Sequence, residues 1–295
     1  MAISKKELLD MRHIEVSDVN TVVQSNKLVS ALSDLSVNAC KILYSAISAL
    51  TNEDEELPKM YFEVNDLKVL FTAKSTQAMN KEIEQAVAEL KNAIIYVKED
   101  DSYIPLQVIE EIEYCKTKKV LYLHLAEDME KYLIQLSSKM TIIPVNFLLL
   151  MKTSASMKLL SYLIMLYSSK VYFATKHNEK SIVSQNVSIY PAILYQVLCR
   201  ECYYSLKNNG EKKKFNYRCF GDVELALSHA ISEIKKSGVL DIETKYLCEK
   251  KEYPNIVTNI NFSISRGYTY DSIIEKIYVD RRKKTLQLKK EAHKK

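Results

Sequence analysis

The chain has 295 residues, 47% of them apolar, with 20 Tyr, 7 Phe and no Trp, enough for two cores of roughly 120 to 150 residues each. Only 4 Gly and 5 Pro occur, which suits a helix-rich protein and leaves no glycine loop to cradle phosphate, so a P-loop ATPase is excluded. The net charge of +5 is unevenly spread: residues 266–295 carry ten Lys or Arg against four Asp or Glu, and residues 200–218 six against two, and charge so concentrated attracts polyanions.

The six cysteines are scattered, and the N-terminus, with Lys5, Lys6, Glu7, Asp10 and Arg12, lacks the apolar run of a signal peptide. The most apolar stretches, Leu159–Tyr167 and Ile142–Met151, are too short to span a bilayer. A soluble, intracellular protein with reduced thiols is expected.

In chain order, residues 1–20 read as a short charged leader. Between Val22 and Leu50, Leu28, Leu32 and Leu35 share one apolar face, more simply core than a zipper seam; Ser36 then caps a second helix. After the acidic linker Asn52–Glu56 comes a strand, Tyr61–Val64, and a short helix to Phe71 capped by Asn65 or Asp66. Ser75 caps a longer helix, Thr76–Asn92, with Met79, Ile83, Ala86, Val87 and Leu90 on one side. A strand Ala93–Lys98, a turn, a return strand Tyr103–Tyr114 and a third strand Val120–Leu125 follow. Ala126–Leu136 reads as a connecting helix and Thr141–Met151 as the link to a second module.

That module opens with an apolar helix from Ser154 through Leu159, Leu160, Leu163, Ile164, Leu166 and Tyr167. A polar loop, Thr175–Asn186, and a helix, Ile189–Tyr204, lead into a basic run. Next, Phe220, Val223, Leu227, Ala230, Ile231 and Ile234 mark one helix stripe that stops at Gly238. Two strands, Leu240–Leu247 and Ile256–Ile264, flank a polar tip, and a last helix from Ser272 to Tyr278, capped by Asp271, runs into a lysine-rich end. Helix, strand, tip, strand is the core of a winged helix, and the first half repeats it about 140 positions earlier, setting Ile83 against Val223, Val87 against Leu227 and Val120 against Val257. The expected fold class is α+β, helix-rich: two tandem winged-helix domains with small antiparallel wings, at 21–145 and 146–265, followed by a basic C-terminal helix and tail, 266–295.

Catalytic chemistry is hard to place. The five histidines include no pair flanking a single residue, so the metal-plus-tyrosine centre of nicking initiators is missing. No nucleophile has a His and acid partner nearby in sequence. Cys199 and Cys202, with Cys219 and His229, match no common zinc spacing and fall mid-helix, so they read as free thiols. No catalytic, metal or cofactor site is expected.

A nucleic-acid site is better supported. Lys212, Lys213, Lys214, Asn216, Tyr217 and Arg218 stand directly before a helix whose face opposite the core carries Gly221, Asp222, Leu225 and His229. An exposed Leu225 can meet a thymine methyl. Lys250 and Lys251, at the wing tip, are placed for phosphate. In the first module, Lys74, Ser75 and Lys81 decorate a helix N-terminus, where amides and dipole favour phosphate, whereas the tip residues Glu99, Asp100 and Asp101 repel it. The basic tail is either a solvated end or a source of non-specific DNA affinity.

The chain resembles the iteron-binding plasmid replication initiators, the family with two tandem winged helices. The match lies in Gln24-Ser25-Asn26-Lys27-Leu28-Val29-Ser30-Ala31-Leu32 with Cys40-Lys41-Ile42-Leu43, in Ser154-Ala155-Ser156-Met157-Lys158-Leu159-Leu160-Ser161-Tyr162-Leu163, and in Tyr217-Arg218-Cys219-Phe220 leading to Ala230-Ile231-Ser232-Glu233-Ile234. It departs at Gly221, Asp222 and Glu224, where members often carry Arg or Lys. The resemblance implies a non-enzymatic, cytoplasmic bacterial initiator whose second module reads repeated double-stranded origin sites. It implies origin opening, recruitment of the host initiator and replicative helicase, and a monomer in equilibrium with a homodimer, joined through the first module, that represses its own promoter at an inverted repeat. Asn216, Tyr217 and Arg218 would then read sequence, and Lys212–Lys214, Lys250 and Lys251 would contact phosphate. A repressor of the same fold without a replication role, and a scaffold or helicase-loader-like protein, are the alternatives.

Overall fold

The structure is a computed structural model that describes residues 10–17, 19–31, 33, 35–51, 53–71, 75–100, 102–137, 139–176, 184–198, 220–249, 256–277 and 279–280. Part of the expected leader is built into the fold. Strand β1 (Arg12–His13) pairs in parallel with β3 (Met60–Glu63), and Ile14 is fully buried. Arg12 donates to both carboxylate oxygens of Asp54, at 2.7 and 2.6 Å, and to the Ala49 carbonyl at 3.0 Å.

The segment from Val22, expected to set Leu28, Leu32 and Leu35 on one apolar face, opens with a strand. Strand β2 (Thr21–Ser25), with its β-branched Val22 and Val23, pairs antiparallel with β8 (Met140–Pro144), and only then does the short helix α1 (Asn26–Val29) form. The supposed link Thr141–Met151 is therefore β8 followed by α6 (Val145–Leu149), fixed to the start of the first half. The caps fall closer to expectation. Ser36 Oγ accepts the Ala39 N–H at 3.3 Å to start α2 (Val37–Ser48), and Ser75 Oγ accepts the Ala78 N–H at 3.2 Å to start α4 (Thr76–Lys91). Helix α3 (Val64–Leu70) is capped by Glu63, not by Asn65 or Asp66; Asp66 instead accepts the Glu63 N–H at 3.0 Å, closing a capping box.

The single return strand expected over Tyr103–Tyr114 is two strands in two sheets. Strand β5 (Ser102–Gln107) pairs with β4 (Ile94–Glu99), while β6 (Ile109–Cys115) pairs with β7 (Val120–Leu125). Val108 sits at the bend, giving its N–H to Ala93 and its carbonyl to Ala126. Strand β7 also pairs antiparallel with β3, in the order β1-β3-β7-β6, so β7, which carries Val120, has a partner on each side. The connecting helix shrinks to a 3-10 turn (Glu127–Met129) and α5 (Glu130–Leu133).

In the second half, α7 (Ser154–Lys176) is a 23-residue spine that packs against both α8 (Pro191–Leu198) and α9 (Gly221–Ser237). The end of the expected polar loop is strand β9 (Ser184–Ile189), and α8 is shorter than the expected Ile189–Tyr204. Helix α9 buries Val223, Leu227, Ala230 and Ile234, the predicted stripe, and ends at Gly238 in the left-handed region, φ 71°. Strands β10 (Leu240–Glu249) and β11 (Ile256–Arg266) form the hairpin, and β9 adds to β11 with Val187 opposite Phe262. This order of helix, strand, two helices and two strands fits the winged-helix fold.

A final helix, α10, spans 268–277 and begins before Asp271, whose carboxylate takes Arg266 at 3.2 Å instead of capping. The Tyr270 ring lies 5.2 Å from Phe147 and 6.4 Å from Tyr167, and Ile273 and Ile277 are buried. The chain thus returns to α6 and α7. One cluster of buried apolar residues runs from Ile14 to Ile277. No helix among the described residues is long and apolar enough to cross a membrane.

Candidate nucleic-acid interface

Helix α9 has one face in the core and one open to solvent. Along the open face lie Gly221, Glu224, Leu225, Ser228, His229 and Ser232, and Leu225 is 68% exposed. Leu225 and His229 thus face solvent, as the helix period predicts. Asp222 is in the first turn of α9, as expected for that end of the stripe. The Phe220 ring, immediately before α9, lies 4.9 Å from that of Tyr246 on β10, pinning the helix start to the wing.

Lys212, Lys213, Lys214, Asn216, Tyr217 and Arg218 lie outside the described residues, as do Lys250 and Lys251 between the facing ends of β10 and β11. Cys199, Cys202 and Cys219 lie outside them too. In the first half, Lys74 lies outside them; the Ser75 hydroxyl is engaged as the α4 cap, and Lys81 is exposed in the second turn. The structure thus brings Asp222, Leu225 and His229 together on one helix, with Ser75 and Lys81 on another.

Charge separates the usable faces from the unusable ones. At the β4–β5 tip, Glu99 accepts from Lys27 and from the Tyr132 hydroxyl at 2.7 Å, and the Lys27 hydrogen bond chiefly holds its carboxyl below the usual range. A hollow beside β6 and β7 gathers Asp10, Glu56, Glu110, Glu111, Glu113 and Glu130. His124 Nδ1 lies 2.9 Å from Glu110 there, and Lys59 lies 3.6 Å from Glu111. One lysine among so many carboxylates leaves that face repulsive to phosphate.

Burial pushes the Cys40 thiol up to about 12, which keeps it protonated. Among the described residues no group of three His, Cys, Asp or Glu side chains is placed to hold a metal ion.

One contact escaped the sequence reading. Glu233, at the edge of the buried stripe of α9, reaches the N-terminus of α7. Its Oε2 accepts from the Ser156 hydroxyl at 2.9 Å and the Thr153 hydroxyl at 3.1 Å; its Oε1 accepts from the Lys152 N–H and, at 3.3 Å, the Thr153 N–H. The signal was a serine-rich helix start with no acid three residues on, which leaves a cap position to be filled from elsewhere.

Residues 21–164 match the family model described as Initiator Replication protein, WH1. Over this segment the chain is similar to the initiator replication proteins. The WH1 match ends inside α7, so it covers every element from β2 to the first half of the spine. Over a longer span, the fold is similar to a solved structure titled as the Pi initiator protein in complex with iteron DNA, with a TM-score of 0.64, 19% identity, and coverage of 86% of this chain and 100% of that one. At that identity the likeness speaks for the fold alone. A comparison with curated protein sequences gives no match.

Proposed function

We propose that this chain is a plasmid replication initiator that binds repeated origin sites in double-stranded DNA, with two tandem winged helices. In this reading the second module, residues 146–265, carries sequence recognition. Helix α9 enters the major groove and offers Leu225 to a thymine methyl and His229 to a base edge or phosphate. Asn216, Tyr217 and Arg218 extend that readout, and Lys212, Lys213, Lys214, Lys250 and Lys251 neutralise phosphates on either side. The first module, residues 21–145, adds backbone contacts near Ser75 and Lys81 and serves as the dimer contact. As a monomer the protein would open the adjacent duplex and recruit the host initiator and replicative helicase in the bacterial cytoplasm; as a dimer it would repress its own promoter.

The observation that carries this reading is the coincidence of two findings. The WH1 match covers residues 21–164, and over 86% of the chain the fold is similar to that of a protein crystallised with iteron DNA. The open α9 face lies in the second half.

A complementation experiment separates initiator from repressor. A plasmid carrying the upstream region but lacking the gene is expected to replicate only when the protein is supplied in trans. Replication without it, together with repression of a promoter reporter, would leave the repressor reading in its place.

A further inference from the structure

The α9–α7 contact has the form of a capping box completed from another helix. Thr153 is the N-cap of α7: its Oγ1 accepts the Ser156 N–H at 3.2 Å. In a capping box a Glu at the fourth position would return a carboxylate to the N-cap N–H, but Ser156 occupies that position and is fully buried. Glu233 supplies the missing carboxylate from α9, bonding the Thr153 N–H, the Lys152 N–H and both hydroxyls. A carboxylate held by two amides and two hydroxyls at the positive end of a 23-residue helix is a strong, directional joint.

Glu233 lies eight residues beyond Leu225, about 12 Å along the helix axis, so it stands behind the residues offered to DNA. Its neighbours Ala230 and Ile234 are buried, and apolar packing alone lets a helix roll or slide by small amounts. The four bonds of Glu233 remove that freedom.

We propose that Glu233 is a positioning residue for DNA recognition: by closing the cap of α7 it fixes the rotation and tilt at which α9 presents Leu225 and His229. The proposal rests on the DNA-binding reading given above. It predicts a separation that a plain stability role would not give. Binding to random DNA depends on phosphate contacts and tolerates a small rotation of α9, whereas base contacts do not.

The test uses the full chain and two duplexes, one carrying the repeats from its own upstream region and one a scrambled version, at 20 °C with each variant confirmed folded by thermal melting. Glu233→Ala is expected to weaken repeat binding roughly tenfold and scrambled binding less than about twofold. Ser156→Ala, which deletes one partner from the α7 side, is expected to shift the same ratio more mildly, and adding it to Glu233→Ala should bring no further loss. If Glu233→Ala fails to fold, Ser156→Ala and Glu233→Gln carry the test. A lowered melting temperature with both affinities and their ratio unchanged would reduce Glu233 to a helix cap and overturn the proposal. A wild-type protein with no preference for the repeats would instead overturn the DNA reading itself, and the proposal with it.

Discussion

Two residues show how local chemistry closes this fold. Arg12 and Asp54 meet in a two-point bond that ties the start of the chain to the end of α2. The Arg12 hydrogen bond is the main reason that the Asp54 carboxyl lies below its usual range. A depressed carboxyl pKa adds stability that is present above the unfolded value and is lost as pH falls through the folded one. Asp54→Asn is therefore expected to lose about 1–2 kcal/mol at pH 7, allowing for the partly exposed Arg12, and the gap to wild type should narrow below about pH 4. Denaturant melts at pH 7 and pH 3.5 measure both numbers; an equal gap at both would deny the ionic character of the pair. Nothing in the sequence near Arg12 announced this bond, because its partner is 42 positions away. Leu225 was legible for the opposite reason: its exposure follows from helix period alone.

Among the elements, those defined by local signals were readable and those defined by pairing were not. Ser36, Ser75 and Gly238 each carry a cap that side-chain chemistry dictates within a few residues. The split of Tyr103–Tyr114 into β5 and β6 was marked only by Val108 and Ile109, consecutive buried apolar residues that break the alternation where the partner strand changes. Likewise β2 and β8 are strands because they have each other across more than 110 residues. Asp271 looked like a cap, yet Arg266 at 3.2 Å claims its carboxylate. The junction of α9, β10 and α10 gives the clearest element-level expectation. Gly238 has φ 71°, and a Cβ there would stand 2.3 Å from the Tyr268 ring. A Cβ on Gly267 would stand 2.1 Å from the Gly238 carbonyl oxygen. Gly238→Ala is expected to cost about 1–3 kcal/mol from combined strain and crowding, read as a lowered unfolding midpoint. No shift would mean that α10 docks less closely than the structure has it.

At the scale of the molecule, composition correctly pointed to a helix-rich α+β protein but could not foresee how its halves join. The spine α7 is shared by both, α10 returns to Phe147, and a single apolar cluster results. Such a joint makes the orientation of α9 a property of the whole chain, and Glu233 is its polar fastening. Electrostatics orders the surface in the same sense: carboxylates gather beside β6 and β7, whereas lysine and arginine gather in residues 200–218 and 266–295 of the sequence. The basic run before α9 is evident in the sequence, while its geometry falls outside the described residues. Its contribution is measurable all the same, since each phosphate contact adds roughly 0.9 to the slope of log affinity against log salt.

The most direct test of the account is a hydroxyl-radical footprint of the wild-type protein on duplex from its own upstream region at near-physiological salt, repeated with Lys212, Lys213 and Lys214 changed to Ala. Regularly spaced protection of direct repeats, weakened for the triple variant with a shallower salt dependence, is the predicted result. Protection of a single inverted repeat alone, or no protection by the folded protein, would contradict it.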